Sequence, residues 1–186
     1  MSLEKWVEYG WLKTEPTSSQ EIRDLLGIVE RGLADSKVEA ISTDLRFMAA
    51  FNTALCAATA ALRASGHRTV TQSGHHVKTI ESLELTVKAS PKLIQRLKTF
   101  NNKRNKSVYD VAGAVSDQEL EAMVKLAIAE VLKRTLGLST HSLSAGTSTA
   151  PRLSVSVRVS VIFPSPRSVV LPESFWAAGD NGDFPL

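Results

Sequence analysis

The fold is decided by residues 43–65, TDLRFMAAFNTALCAATAALRAS, which contain the longest apolar run of the 186-residue chain. Thr43 or Asp44 is suited to begin a helix here, and Gly66 is suited to cap its end. The apolar side chains recur at helical intervals over one broad face, formed by Phe47, Ala50, Phe51, Ala54, Leu55, Ala58 and Leu62. The many alanines allow neighbouring helices to approach closely. We therefore predict a buried helix at the centre of a bundle.

The chain before this segment predicts one further helix and a lead-in. Ser18 and Glu21 have the spacing of a capping box, and apolar residues follow them at helical intervals. This pattern indicates a helix over about residues 19–36. Residues 1–16 carry several aromatic side chains, so we expect a short helical or irregular lead-in that packs onto the bundle.

Three more helices are predicted after the central segment. Residues 75–87 form the first, and Pro91 is suited to the first turn of the next. Ser116 and Glu119 repeat the capping-box spacing before a last helix that ends at Gly137. With short connections and no strand expected before residue 137, the fold class is all-α, an up-and-down bundle of four to five helices.

The composition changes at Leu138 to a segment rich in Ser, Thr, Ala, Pro and Gly. We place a domain boundary there, with the bundle over residues 1–137 and a tail over residues 138–186. Residues 153–163 alternate apolar and polar side chains as a strand does, but one strand without a partner is not stable. The alternatives are pairing with another chain, disorder, or a non-native extension, and we expect a poorly ordered tail.

Composition also bears on location and on cofactors. Cys56 is the single cysteine, so one chain can form neither a disulfide nor a thiolate metal site, which suits a reducing cytoplasm. The N-terminus lacks the pattern of a secretory signal. The apolar run from Phe47 to Leu62 is interrupted by polar residues and is shorter than the ~20 residues that span a bilayer. We expect a cytoplasmic protein with no membrane segment, no metal and no cofactor.

Between Lys88 and Lys106 the chain has seven basic residues and no acidic one: Lys88, Lys92, Arg96, Lys98, Lys103, Arg104 and Lys106. In a continuous helix, Lys88, Lys92, Arg96 and Lys103 would form a single stripe. A row of like charges costs stability unless an anionic partner neutralises it. The segment is therefore either a solvated helix face or a surface for RNA or a nucleotide.

The segment from Lys103 to Asp110, KRNKSVYD, together with the order of the helices, resembles the HEPN domain (higher eukaryotes and prokaryotes nucleotide-binding), in particular its small uncharacterised bacterial members. Residues 42–52, with Asp44 and Arg46, and residues 74–76 at the start of the third helix are also similar to this family. The resemblance covers about residues 1–137.

The resemblance implies a bundle that dimerises so that two copies of an Arg motif face each other across a shared cleft. Many members are metal-independent RNases, often toxins paired with a nucleotidyltransferase-like antitoxin. Their motif is an Arg, usually followed by a polar residue, with a His four to six positions further along. Arg104 and Asn105 match the first two positions, and Tyr109 stands where the His is expected.

This departure weakens catalysis more than binding. A His with a pKa near 6.5 can accept and donate protons at neutral pH, whereas a Tyr with a pKa near 10 is a poor base. Tyr109 can still donate a hydrogen bond or stack on a base, and Arg104 can still hold a phosphate through two parallel hydrogen bonds. The candidate catalytic residues are Arg104 and Tyr109. The candidate ligand-binding residues are Lys103, Arg104, Asn105, Lys106, Arg96, Arg46, His75 and His76.

His75 and His76 are adjacent, so on a helix they point about 100° apart and do not converge on one metal ion. We expect them to cap the third helix or to line the same cleft as Arg104. Three functions stay open: an RNA- or nucleotide-binding protein with little or no nuclease activity, an active RNase toxin in which Tyr109, His75 or His76 replaces the missing His, and a helical module that only dimerises or docks a protein.

Overall fold

The structure, a computed structural model, describes residues 1–70, 74–109, 112–135, 158–160 and 168–170. Its elements in chain order are α1 (Leu3–Glu8), β1 (Leu12–Thr14), α2 (Ser19–Asp35), α3 (Thr43–Ala64), β2 (His67–Thr69), α4 (His75–Thr86), α5 (Pro91–Tyr109), α6 (Asp117–Lys125), a π-helical segment (Leu126–Leu132), α7 (Lys133–Thr135), β3 (Arg158–Ser160) and β4 (Ser168–Val170). The described chain is mostly helical, which confirms the prediction of a helical fold. The five predicted helices are all present, and the last one continues from α6 through the π-helical segment into α7.

Serine side chains cap the starts of five described helices, through Ser2, Ser18, Ser42, Ser90 and Ser116. Ser18 accepts the backbone N–H of Glu21 at 3.0 Å and begins α2, and Ser42 accepts that of Leu45 at 3.4 Å and begins α3. Ser116 begins α6 with a complete capping box, because the Glu119 carboxylate also accepts the Ser116 backbone N–H at 3.0 Å. These hydrogen bonds satisfy backbone donors that the first turn of a helix leaves without partners.

The prediction of no strand before residue 137 is wrong. β1 and β2 pair antiparallel, with Leu12 opposite Thr69 and Thr14 opposite His67. Each strand has three residues, which is too short to show a period of two in the sequence. The ribbon is fixed to the helices because Leu12, 2% exposed, packs with Trp6 and Leu62.

The core forms around α3, as predicted. This helix packs against α2, α4, α5, α6 and the π-helical segment. The rings of Phe47 and Phe100 meet edge to face, with their centroids 5.5 Å apart. Among the described residues α3 is the one helix long and apolar enough to cross a membrane, and 56% of its most apolar window is buried inside the molecule, as in the core helix of a soluble protein. Cys56 on α3 is half-buried, and burial raises the pKa of its thiol.

The crossing of α2 and α3 is close at Gly32. A Cβ added to Gly32 would lie 2.5 Å from Oγ1 of Thr53, closer than any real contact. Thr53 is 1% exposed, and its hydroxyl donates a hydrogen bond to the Ala49 carbonyl at 2.8 Å. A side chain at position 32 would therefore require Thr53 or one of the two helices to move.

An ion network joins the start of α2, the end of α3 and the ribbon. Arg63, 2% exposed, donates from Nε and Nη2 to the two carboxylate oxygens of Glu21, both at 2.7 Å. Its Nη2 also lies 3.2 Å from Glu15, and Arg68 of β2 pairs with both carboxylates. The hydrogen bonds from Arg63 lower the pKa of Glu21. This network holds the ribbon against the helices.

In the tail, β3 pairs antiparallel with β4, and Val159 lies opposite Val169. Part of the predicted strand is therefore a strand, and its partner is in the same chain, which corrects the expectation of a single strand. The expectation of a poorly ordered tail concerns residues that lie largely outside the described ones, so it stays a prediction. The domain boundary at residue 138 stays a prediction.

Candidate functional site

The start of α4 lies beside the end of α5. The two helices are joined by a short turn, and Glu81 of α4 contacts Lys98 of α5. His76 lies five residues before Glu81 in α4, and Arg104 lies six residues after Lys98 in α5. Arg104 is close enough for its charge to act on the His76 imidazole. The helices therefore run antiparallel, and the structure brings together two predicted site elements, the His pair and the Arg motif. We call Arg104, Asn105, His75, His76 and Lys106 the Arg104 site.

His76 is the histidine that Arg104 affects. It is half-buried, whereas His75 is exposed, and the ring centroids are 4.1 Å apart. Burial lowers the pKa of His76, and the neighbouring charges of His75 and Arg104 lower it further. A lowered pKa favours the neutral form of the imidazole, which can accept a proton. In the described part of the chain, no group of three His, Cys, Asp or Glu side chains is placed to hold a metal ion.

Arg104 is half-buried on the last turns of α5. Its Nη1 donates a hydrogen bond to Oδ1 of Asn105 at 3.2 Å. Asn105 and Lys106 are exposed beside it. Tyr109 is the last residue of α5, and its side chain and Asp110 lie outside the described residues, so the predicted catalytic role of Tyr109 stays a prediction.

Lys103, another predicted ligand-binding residue, ties α5 to α6. Its Nζ lies 2.9 Å from Oε1 of Glu119, the residue that completes the capping box of Ser116. Lys103, followed by the backbone N–H of Ser116, lowers the pKa of Glu119 to about 2. Lys103 thus forms an ion pair between α5, the helix that carries Arg104, and α6.

The Lys103–Glu119 pair makes stability depend on pH in the acid range. Because the folded-state pKa of Glu119 is about 2 against an ordinary value of 4.5, its contribution is complete above pH 4.5 and is lost as the pH falls towards 2. We expect Lys103→Met to be less stable than wild type above pH 4.5 and to approach it near pH 2. Urea midpoints measured across this range test the expectation. Lys125→Met changes an exposed lysine of α6, and its urea midpoint should follow the same pH dependence as that of wild type. A difference in midpoint between Lys103→Met and wild type that does not change with pH would contradict the assignment.

The predicted stripe of four basic residues is wrong at Lys88. This residue precedes α5 and has a φ of 54°, so it is not part of the helix that begins at Pro91. Its carbonyl accepts a hydrogen bond from Arg134 at 3.3 Å. Lys92 and Arg96 are exposed on α5, and the guanidinium of Arg96 lies 5.7 Å from the Phe100 ring centroid.

Asp44 and Arg46, at the start of α3, hold backbone segments. Arg46 donates from Nε to the Ser36 carbonyl at 3.1 Å, which satisfies the end of α2. The Asp44 carboxylate accepts the backbone N–H groups of Gly113 at 2.6 Å and Val115 at 3.0 Å. These contacts position the loop that follows α5, and sequence reasoning missed the role of Asp44.

Sequence reasoning also missed a cavity of about 430 Å³ between the lead-in, α4 and α5. Its lining includes Trp6, Trp11, Lys78, Glu81, Gln95 and Lys98. The one available signal was the pair of tryptophans in the lead-in, which was interpreted as packing only. Trp6 is indeed buried, but Trp11 is half-exposed.

No family model matches this chain, and comparison with curated proteins and with solved structures gives no significant match. The geometry of the Arg104 site is therefore the basis on which a function can be assigned.

Proposed function

We propose that the protein is a HEPN-like RNA- or nucleotide-binding protein whose Arg104 site holds a phosphate of the ligand. The observation that carries this proposal is the position of the Arg104–Asn105 motif at the end of α5, which packs against α4 with its His pair, while Asn105 and Lys106 are exposed. The resemblance of KRNKSVYD to the HEPN motif supports it. A homodimer, a nucleotidyltransferase-like partner and a toxin–antitoxin setting in the bacterial cytoplasm belong to the same proposal.

The chemistry of the site suits an anion. A guanidinium forms two parallel hydrogen bonds with a phosphate, and partial burial reduces the screening of its charge by salt. The exposed ammonium of Lys106 adds a second positive charge, and the Asn105 amide adds donors for phosphate or base atoms. Lys103 contributes less, because Glu119 already neutralises it.

We expect wild-type protein to bind fluorescent single-stranded RNA in a salt-dependent manner, and Arg104→Ala to weaken binding at least about 10-fold. Loss of one phosphate contact should also reduce the slope of log K against log salt by about 1. Fluorescence anisotropy over a salt series measures both effects.

Arg31→Ala is the matched control, because Arg31 is exposed on α2, a helix that packs chiefly on α3. It removes the same charge from the protein without touching the Arg104 site. Binding that is insensitive to salt, or equal losses in the two variants, would contradict the proposal.

A second candidate function is RNA cleavage with His76 as the proton acceptor. The neutral imidazole of His76 beside Arg104 favours it, because one group can take the proton of a 2′-hydroxyl while the other stabilises charge on the phosphate. Here His76 occupies the role of the His that Tyr109 replaces in the motif.

We expect His76→Ala to reduce any cleavage by about 100-fold or more, which is the usual contribution of a general base. His67→Ala is the control, because His67 lies on β2, outside the Arg104 site. Cleavage of a labelled RNA is followed by gel electrophoresis, with Arg104→Ala, which we expect to be inactive, as a second reference. If wild type cleaves no RNA, or if His76→Ala keeps full activity, the second candidate is eliminated and binding stays as the function.

A further inference from the structure

The cavity at the lead-in is large enough for a ligand. Its volume of about 430 Å³ lies within the range of small-molecule sites, roughly 300–1,000 Å³. Apolar rings and aliphatic side chains form part of its lining, and polar side chains from α4 and α5 form the rest. We call it the Trp pocket and define it by Trp6, Trp11, Lys78, Glu81, Gln95 and Lys98.

The aromatic wall of the Trp pocket is held in place by packing. Trp6, 5% exposed, meets Trp11 edge to face with ring centroids 5.5 Å apart and an interplanar angle of 80°. Trp11 is half-exposed, and the ammonium of Lys78 lies 3.6 Å from its ring centroid. The ammonium of Lys78 thus covers one face of Trp11, and the Tyr9 ring packs against Trp11 with centroids 5.1 Å apart, so a flat ligand stacks on the covered face only after Lys78 moves.

The charges of the pocket favour a neutral group over a phosphate. Glu81 contacts both Lys78, at 3.0 Å, and Lys98. The exposed carboxylate of Glu84 also lines the pocket, so two ammonium and two carboxylate groups cancel. Gln95 supplies an exposed amide with both donors and an acceptor. An aromatic face beside an amide is the combination that proteins use for unpaired nucleobases.

A polar stripe on α5 joins the Trp pocket to the Arg104 site. Gln95, Lys98, Asn102 and Asn105 are spaced three, four and three residues apart, so they lie on one face of the helix. The stripe is about 15 Å long, at 1.5 Å of rise per residue. It ends at Asn105, whose side chain accepts the hydrogen bond from Arg104.

We propose that the Trp pocket takes an unpaired base of single-stranded RNA, whose backbone follows this stripe to Arg104. The inference rests on the proposed function and adds to it a second subsite, one for an unpaired base. The base stacks on Trp11 and displaces the Lys78 ammonium, because a stacked base is a stronger contact than a cation over an exposed ring. A base inside a duplex is paired and stacked and cannot enter.

The test uses the full chain with Trp176→Phe, so that Trp6 and Trp11 are the remaining tryptophans. We expect short single-stranded RNA to quench their fluorescence. Trp11→Ala should weaken binding of single-stranded RNA roughly 5- to 150-fold, whereas Trp11→Phe should retain most of the affinity. Binding of duplex RNA, measured in parallel, should be weaker in wild type and unchanged by Trp11→Ala.

The outcomes separate this inference from the proposed function. If RNA binds and requires Arg104, but Trp11→Ala binds single strands normally and RNA leaves the fluorescence unchanged, the pocket assignment is overturned and the proposed function stands. If wild type binds no RNA, both fall. Should Trp11→Ala fail to fold by circular dichroism, the quenching in wild type and the affinity of Gln95→Ala decide, because Gln95 is exposed and its loss should weaken binding.

Discussion

Glu21→Ala is expected to lower the free energy of unfolding by about 3 kcal/mol, because it leaves a buried guanidinium without its main counter-ion. Arg63 is 2% exposed, and both of its bonds to Glu21 are 2.7 Å long. Of its carboxylate partners only Glu15 would remain, at 3.2 Å. The hydrogen bond from the Glu21 backbone N–H to Ser18 does not depend on the Glu21 side chain, so the start of α2 is retained.

Arg63→Met is the informative counterpart, because it removes the buried charge itself. The carboxylates of Glu15 and Glu21 are each 30% exposed and can return to water, so we expect a change within about 1 kcal/mol. Urea denaturation followed by circular dichroism measures both variants, with a shift of midpoint at constant slope as the criterion. If the two variants are equally mild, the network does not hold the ribbon against the helices.

Gly32→Ala is expected to destabilise the protein by about 2 kcal/mol, although Ala is the better helix former. The new Cβ would lie 2.5 Å from Oγ1 of Thr53, so either the helices separate or Thr53 gives up its hydrogen bond to Ala49. Thermal or urea unfolding of the variant measures the loss.

Gly27→Ala is the control on the same helix, because nothing lies within 4 Å of its added Cβ. It should stabilise the protein by about 0.5–1 kcal/mol. The double substitution Gly32→Ala with Thr53→Ala should cost less than the sum of the single changes, since the contact is removed. If both Gly27→Ala and Gly32→Ala stabilise the protein, α2 and α3 lie farther apart at Gly32 than described above.

The helices could be predicted because their apolar residues and capping residues are close together in the sequence. The partner that each capping-box glutamate binds could not be predicted. Ser18 with Glu21 and Ser116 with Glu119 have the same spacing. The Glu119 carboxylate returns to its own helix and completes the capping box. The Glu21 carboxylate is taken instead by Arg63, from a helix end forty-two positions later. A four-residue sequence pattern carries no information on whether a distant side chain, here Arg63, binds the Glu21 carboxylate in place of the Ser18 backbone.

The candidate site was predicted in part for the same reason. Arg104 and Asn105 were found because they stand in a short motif. The net charge around these two residues was not predicted. Lys103 is neutralised by Glu119 of α6, and Lys98 is neutralised by Glu81 of α4. The count of seven basic residues and no acidic one between Lys88 and Lys106 therefore overstates the positive charge that a ligand meets. Only the packing of three helices reveals which cations stay available.

The β1–β2 ribbon also sets an order of assembly. Leu12 pairs with Thr69, and both α2 and α3 lie between these two residues in the sequence, so the ribbon closes a long loop. The loss of chain entropy on closing this loop is smaller once the two helices have docked. Helices α2 and α3 are neighbours in sequence and pack together extensively, so they can associate early. We therefore expect the N-terminal segment to acquire its native contacts after α2 and α3 have docked, and to lose them before that helix pair separates. Local opening of this segment would expose Trp6 and the covered part of Trp11 while the helical core stays intact.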